Sequence, residues 1–507
     1  MTNPLYDALI GDKSTTNAPF LISQEGEVFS YGQFAARAGQ AAHALQQLGV
    51  RHGDRVMVQA EKSLDVIALY LGTIRCGGVF VPLNTTYTAK EVEYFLTDAE
   101  PTVFIAKPEN AKNLEPIANA AGAKLLTLSD DGRGTWFDFC GNTCSAVFAS
   151  ECTGSDLAAI LYTSGTTGLS KGAMLTHDNL LSNAQSLMQA WHFTSDDVML
   201  HTLPIYHSHG LFVAINTTML AGASMIFNHK FDAKKVIGQL KGATVLMGVP
   251  THYVRLLKQP ELTKQATSNM RLFTSGSAPL LAQTHNDFTS VTGHKILERY
   301  GLTETNMNTS NPYEGERRAG TVGKPLPAIS VEVRNPETGE KVATNQTGSI
   351  EVNGPNVFAG YWRNMEKTYA EFRADGFFMT GDLGFFDDDG YLTIIGRSKD
   401  LVISGGLNVY PKEVESEIDG ITGVLESAVI GVPHEDFGEA VTAIIVKKDD
   451  NIVTKQMIFD CLNSKLAKFK QPKEIAFVDQ LPRNAMGKVQ KNLLRDEYCD
   501  LFSNKRS

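Results

Sequence analysis

The sequence is poor in everything that would mark a membrane protein, a disulfide scaffold or a nucleic-acid binder. Only 6 of its 507 residues are cysteine, and Cys76, Cys140, Cys144, Cys152, Cys461 and Cys499 contain no Cys-x-x-Cys pair. Cys140 and Cys144 stand four apart, but no second Cys/His pair follows at zinc-finger spacing, so scattered reduced thiols and no structural metal are expected. No uninterrupted apolar run is long enough to span a bilayer. Met1–Ile10 lacks a basic stretch followed by an apolar one, so no secretory signal is read. Ser464-Lys465-Leu466 is internal and the sequence ends Lys505-Arg506-Ser507, which gives no support to a peroxisomal address. A cytoplasmic protein without a membrane partner is the expectation. An excess of positive charge is also missing: the formal net charge is −10. That argues against a surface built for nucleic acid, while leaving room for a local basic pocket that takes an anion.

What remains is an ordinary globular composition, 42% hydrophobic and 20% charged with 44 Gly and 19 Pro, in a chain long enough for two or more domains. Val56–Val58 reads as a strand, Leu64–Ile74 as an amphipathic helix and Val79–Pro82 as a second strand. Short apolar runs recur at Thr102–Ala106, Lys124–Leu128, Val198–Leu203, Ser224–Phe227 and Thr244–Gly248. Strands separated by helices predict α/β architecture, with parallel sheets and helices on their faces. From about Val331 the texture changes to short strands between Gly/Asp/Asn turns, at Val331–Val333, Gly348–Val352, Gly384–Phe386 and Tyr391–Ile395. The expected organisation is a large N-terminal domain over 1–398, with a β-rich subdomain over 331–398, and a small α+β domain over 399–507.

Leu157–Tyr162 is an apolar strand, and Thr163–Gly172 follows it directly: Thr163, Ser164, Gly165, Thr166, Thr167, Gly168, Leu169, Ser170, Lys171, Gly172. Glycines let backbone N–H groups approach an anion, the hydroxyls add donors, and Lys171 supplies a mobile positive charge. These are the means of holding a polyphosphate. The spacing is not Gly-x-x-x-x-Gly-Lys-Ser/Thr, which disfavours a Walker-type ATPase.

The loop resembles the phosphate-binding motif of the adenylate-forming superfamily, which comprises acyl-CoA synthetases, luciferases and peptide-synthetase adenylation domains. Further elements match in family order. Tyr300-Gly301-Leu-Thr303-Glu304 resembles the aromatic-Gly-x-Thr-Glu element and Thr380-Gly-Asp382 the Thr-Gly-Asp element. Gly396-Arg397-Ser-Lys399-Asp400 resembles the hinge, Gly405-Gly406-Leu-Asn-Val-Tyr-Pro411 the segment after it, and Pro482-Arg-Asn-Ala-Met-Gly487-Lys488 the C-terminal lysine motif. Together they cover the chain from about 160 to 490.

The resemblance implies a reaction that uses ATP, Mg²⁺ and coenzyme A. It implies that Lys488 reaches the carboxylate and the α-phosphate, that Glu304 helps to hold Mg²⁺, and that Thr303 contacts the α-phosphate. Asp382 would accept the ribose hydroxyls with Arg397 beside it. Gly276-Ser277-Ala278 would line the adenine and acyl pocket, with Tyr300 near the base. Lys399 would be the hinge, and Gly405 and Gly406 would let the pantetheine arm of coenzyme A pass close to backbone. A neutralised Lys488 could not stabilise phosphate charge, so a lysine acetyltransferase acting there is a candidate partner.

The acid pocket falls on Pro204-Ile-Tyr-His207-Ser-His209-Gly210 and on Glu298-Arg299-Tyr300. On an extended segment His207 and His209 would face one side, and a metal pair and an acid-binding pair are both compatible with that. Arg299 either pairs with Glu298 or another acidic group, or offers its two-donor fork to a second carboxylate on the substrate. His207-Ser-His209-Gly210-Leu-Phe and Glu298-Arg299-Tyr300-Gly-Leu-Thr-Glu-Thr-Asn306-Met307 look like the malonyl-CoA synthetases. That resemblance implies malonate, or methylmalonate, held by Arg299 and His209 with His207, Ser277 and Met307 nearby. The rival readings are an aryl-, medium-chain- or oxalate-specific synthetase, an enzyme that loads a carrier protein, and a binding module without activity.

Overall fold

The computed structural model describes residues 3–141, 149–163, 170–448, 453–463, 465–484 and 487–502. The chain packs as two compact units, one formed by 1–330 with 352–378 and the other by 331–351 with 379–507. Of the β-rich segment, 331–351 and 379–398 therefore group with the residues beyond Lys399, and 352–378 with the first unit.

The first unit holds two large sheets. In the six-stranded sheet the order is Lys124–Thr127, Val103–Ala106, Arg55–Gln59, Val79–Pro82, Leu157–Thr163, Lys171–Thr176. Its first five strands are parallel. Helices Leu64–Arg75, Ala89–Ala99 and Ala111–Ala120 make the crossovers. Strands of such a sheet are covered on both faces, which is why Val103–Ala106 and Val79–Pro82 are buried at every position. Ser63 and Thr88 start two of the helices by accepting hydrogen bonds from the N3 backbone N–H groups. Lys171–Thr176 turns back antiparallel and pairs Lys171 with Thr163, so the strand pair carries the two ends of the phosphate-type loop. Ser164, Gly165, Thr166, Thr167 and Gly168 lie outside the described residues.

The nine-stranded sheet includes Val198–His201, Val245–Gly248, Leu272–Ser275, Leu297–Leu302 and Asn306–Ser310. Leu272–Ser275 runs parallel to Leu297–Leu302, and Leu297–Leu302 forms a hairpin with Asn306–Ser310. This brings the ends of three strands, carrying Gly276, Arg299 and Met307, to one region.

The second unit combines a four-stranded sheet, Ser330–Arg334, Gly348–Asn353, Phe378–Phe386 and Leu392–Arg397, with a five-stranded one. The latter is built on the long hairpin Val424–His434 and Gly438–Lys447. Its two faces bury separate apolar groups, Val414, Ile418 and Ile458 on one side and Leu481 and Leu494 on the other. Pro411 opens helix Pro411–Asp419 as its first residue, as its fixed φ favours. Among the described residues no helix is long and apolar enough to cross a membrane.

Candidate active site

Arg299 lies on strand Leu297–Leu302 and is only 3% exposed. Consecutive strand residues point to opposite faces, and this decides between its two candidate partners. Glu298 turns to the other side, where its Oε1 accepts the Gly320 N–H at 3.2 Å and stands 3.9 Å from His285 Nδ1. Arg299 instead lies flat on Gly276: a Cβ there would meet Nη1 at 2.3 Å, so only glycine admits the guanidinium. Its Nε and Nη2 are buried without a hydrogen-bond partner. Burial draws its pKa down to about 9, with Tyr253 opposing. A buried cation with two unused donors is a costly arrangement unless an anion completes it.

His209 stands beside this cation, 3% exposed. Its Nδ1 is 3.2 Å from Ser277 Oγ, and its Nε2 is buried without a partner. Burial first, then the charge of Arg299, holds its pKa well below the ordinary value, so the ring is neutral near pH 7. Burial likewise brings His207 down to about 4.

The expectation of an extended segment here is not met. Residues 204–208 turn, and His209–Ile215 is a π-helix whose seven residues are all buried. The chain folds back so tightly that a Cβ on Gly210 would lie 2.0 Å from the Pro204 carbonyl oxygen. The Leu211 N–H donates to the His207 carbonyl at 3.0 Å. His207 and His209 thus belong to a turn and a helix start, and the two-residue alternation of a strand does not apply. Ser277 and Asn306 border the pocket with φ of 69° and 49°, a region that non-glycine residues adopt at a cost and that clusters at functional sites. Ser208 Oγ fixes Asn306 by donating to its Oδ1 at 2.7 Å. Asn183 clamps the Met307 backbone, accepting from its N–H at 3.2 Å and donating to its carbonyl at 2.8 Å.

Thr303 and Glu304 lie in the hairpin turn after Tyr300 and Gly301. The Tyr361 hydroxyl lies 3.0 Å from Glu304 Oε1 and 2.6 Å from Glu371 Oε2. Glu371 is also 3.7 Å from Lys171 Nζ and 2.7 Å from Lys367 Nζ, and Lys171 Nζ lies 4.9 Å from the Tyr361 ring centre. Lys171 and Glu304 are therefore linked through Tyr361 and Glu371, two residues that the sequence reading missed. No spacing rule points to them. The nearest signal is the Gly-Tyr-Trp run at 360–362, whose Trp362 N–H donates to the Gly172 carbonyl at 2.8 Å.

In the second unit Asp382 and Arg397 are register partners on adjacent strands, with Arg397 Nε 2.7 Å from Asp382 Oδ1. Lys488 sits in a turn, its N–H donating to Asn484 Oδ1 at 2.9 Å. Partial desolvation, then Arg397, lowers the pKa of Lys488, and the same two causes bring Lys399 to about 8. Asp382, Arg397, Lys399 and Lys488 thus fall within one electrostatic neighbourhood. Gly405 and Gly406, with φ of 60° and 77°, form the two-residue turn between Val402–Ser404 and Leu407–Val409. Positive φ at both positions is what a tight hairpin of this hand needs, so the pair has a structural role of its own.

An arginine with unused donors, a cluster joining Lys171 to two carboxylates, and an Asp–Arg pair with a lysine in its electrostatic neighbourhood are the parts of an enzyme that activates an acid with a nucleotide. The chain belongs to the AMP-binding enzyme family, whose model matches residues 11–362, while the model of its C-terminal domain matches residues 413–488. It is 33% identical to the malonate–CoA ligase of Arabidopsis thaliana, over 97% of this chain and 88% of that protein. It is also 33% identical to a long-chain-fatty-acid–CoA ligase of Bacillus subtilis, over 94% and 92%. The crystal structure of ATP-bound MatB from Rhodopseudomonas palustris superposes with a TM-score of 0.98 at 54% identity, covering 99% of this chain and all of that one. The fold is that of the adenylate-forming enzymes, a large N-terminal α/β part and a small C-terminal part.

Proposed function

We propose that this chain is an AMP-forming acid–thiol ligase that joins malonate to coenzyme A, with methylmalonate as a second acid. The observation that carries the choice of acid is Arg299, buried, charged and with two donors unused. A fatty or aryl acid offers nothing to such a group, whereas the distal carboxylate of a small dicarboxylate fits its planar fork. His209, neutral and with Nε2 unused, adds a donor or acceptor without adding charge.

In the first half-reaction a malonate carboxylate oxygen attacks the α-phosphorus of ATP, the bond to the β-phosphate oxygen breaks, and pyrophosphate leaves. Lys488 is the cation assigned to the attacking carboxylate and the α-phosphate oxygens, and Thr303 is a hydroxyl donor to that phosphate. Thr163–Lys171 and the backbone of Gly276, Ser277 and Ala278 hold the nucleotide, with Tyr300 at the base and Asp382 and Arg397 at the ribose. Glu304, oriented by the Tyr361 hydroxyl in an all-oxygen setting, is the residue that would hold Mg²⁺. The ion would neutralise phosphate charge there. In the second half-reaction the thiol sulfur of coenzyme A attacks the malonyl carbonyl, AMP leaves with the bonding electrons, and the thiol proton is lost. Gly405 and Gly406 are assigned to the pantetheine arm, His207 to the acyl site, and Lys399 to the hinge between 1–398 and 399–507. The enzyme is assigned to the cytoplasm.

The test is a panel of mono- and dicarboxylates with ATP, Mg²⁺ and coenzyme A, read as AMP and thioester. Thiol-dependent turnover that prefers malonate is the expected result. AMP formation or exchange without thioester would instead favour loading of a carrier protein, and turnover of aryl or medium-chain acids would refute the pocket assignment. Acetylating Lys488 should abolish adenylation yet spare transfer from preformed malonyl-AMP. Equal loss of both steps would count against its assigned role.

A further inference from the structure

Lys62 is a buried amine that the reaction as described does not use. It follows strand Arg55–Gln59 and is 7% exposed. Its Nζ lies 2.7 Å from His201 Nδ1 and 3.1 Å from the His201 carbonyl, and 4.3 Å from the centre of the Phe227 ring. Among the described residues no carboxylate is paired with it; the adjacent Glu61 is taken by Lys107. Burial without a carboxylate holds the Lys62 pKa well below the ordinary lysine value, and a charge kept there is expensive, so its retention asks for a use.

The hydrogen bonds point to one. A carbonyl only accepts, so the bond of His201 Nε2 to the Gly210 oxygen puts the ring proton on Nε2 and leaves Nδ1 to accept from Lys62. Nε2 is 2.8 Å from the Gly210 carbonyl oxygen, which fixes the backbone next to His209. Gly210 is already pressed against Pro204, so the position of His209 against Ser277 is set from both sides. Charge adds to geometry. His252 is buried with Nδ1 unpartnered and stacks on Phe231 at 3.9 Å. It lies within electrostatic reach of both Lys62 and His209. Lys62 bears on His201 and His252, and Arg299 on His209, and burial lowers the pKa of all three.

We propose that Lys62 is a positioning residue for acid recognition: through His201 and the Gly210 carbonyl it holds His209 in place, and a dicarboxylate favours its charged form more than a monocarboxylate does. This rests on the dicarboxylate reading above. It is tested on the full-length chain with Lys62→Met, Lys62→Gln and Lys62→Arg, measuring KM for malonate, KM for ATP and the malonate-to-acetate ratio of kcat/KM. The hydrogen bonding of His201 Nδ1 is read from its ¹⁵N shift. Lys62→Met should raise KM for malonate by about tenfold, as expected for loss of a hydrogen bond to a charged group, with KM for ATP within about twofold. It should also leave His201 Nδ1 without its donor, seen as a change in that nitrogen's ¹⁵N shift. Lys62→Gln, which keeps a donor without the charge, should preserve that shift but lower the malonate-to-acetate ratio, and Lys62→Arg should restore part of both. An unchanged KM for malonate, or a proportional rise in both KM values, would overturn the proposal. If Lys62→Met does not fold, Lys62→Gln decides alone, since an unaltered acid ratio there refutes the role of the charge. A wild-type chain that uses some other acid and not malonate overturns the reading of the acid, whereas a malonate-using chain indifferent to Lys62 overturns only this inference.

Discussion

Replacing Arg299 by methionine should damage the enzyme and stabilise the fold at once, because the same unpaired charge underlies both. The fall of its pKa to about 9 corresponds to ~5 kcal/mol against the charged form in the folded chain. That is an upper figure, since relaxation around the guanidinium recovers part of it. A base whose pKa is lowered on folding leaves the unfolded chain binding more protons between the two values. The destabilisation is therefore fully present below about pH 9 and is relieved as pH rises above that toward the ordinary arginine range. At pH 7.5, Arg299→Met removes this cost and keeps the side-chain length against Gly276, so the melting temperature should rise by a few degrees, at about 1 °C per kcal/mol for a unit this large. For malonate the sign reverses. Losing a buried, two-donor contact with a carboxylate costs about 3–4 kcal/mol, or roughly 150- to 1,000-fold in kcat/KM. Calorimetric melting with and without malonate, beside steady-state kinetics on malonate and acetate, reads both effects. A variant that melts lower and turns over malonate normally would show that Arg299 has a structural partner and that the carboxylate assignment is wrong.

Three further outcomes follow from the phosphate side and the second unit. Glu371→Gln removes the carboxylate from Lys171, so KM for ATP should fall by about two- to fivefold, as expected for a partly exposed pair. Labelling of Lys171 by an amine-reactive reagent should become faster and remain suppressible by ATP. Tyr361→Phe takes the shared donor from Glu304 and Glu371, and the Mg²⁺ concentration giving half-maximal rate should rise about fivefold while the malonate KM holds. Gly406→Ala forces a side chain into φ of 77° and should cost about 1 kcal/mol of stability in the second unit, seen in its unfolding transition.

Much of this architecture could be read before any coordinates. Val56–Val58, Val79–Pro82 and Val103–Ala106 announce themselves as parallel strands because both of their faces are covered, leaving no polar alternation to confuse with a loop. The motif residues Glu304, Asp382, Arg397 and Lys488 were picked out for a different reason, since they stand in runs that resemble the motifs of the adenylate-forming superfamily in the same order. What stayed hidden depends on contacts between distant segments. Tyr361 meets Glu304 across 57 residues and Lys62 meets His201 across 139, and no local pattern encodes either meeting. Arg299 is an intermediate case. Its type and place were visible, but whether Glu298 neutralised it depended on knowing that both sit on one strand and so face apart. The turn before His209 was misread because an x-His-x-His run does alternate on a strand, while the close approach of Gly210 to Pro204 that forbids it is a three-dimensional fact.

The wide helical turn at His209–Ile215 has a consequence for how such a pocket can change over time. A π-helix takes about one residue more per turn than an α-helix, and it arises most simply by a single insertion into an existing helix. Deleting one residue between Leu211 and Ala214 would let the segment rewind as an α-helix, swinging everything on one side of it by roughly 100° relative to the other. With Asn216–Leu220 held in the core, the displaced side would be the one that carries His209. Acid preference in this chain is thus tied to a count of backbone atoms as firmly as to any side chain. A lineage could abandon the dicarboxylate in one codon's loss while leaving Arg299, Ser277 and every nucleotide contact spelled as before.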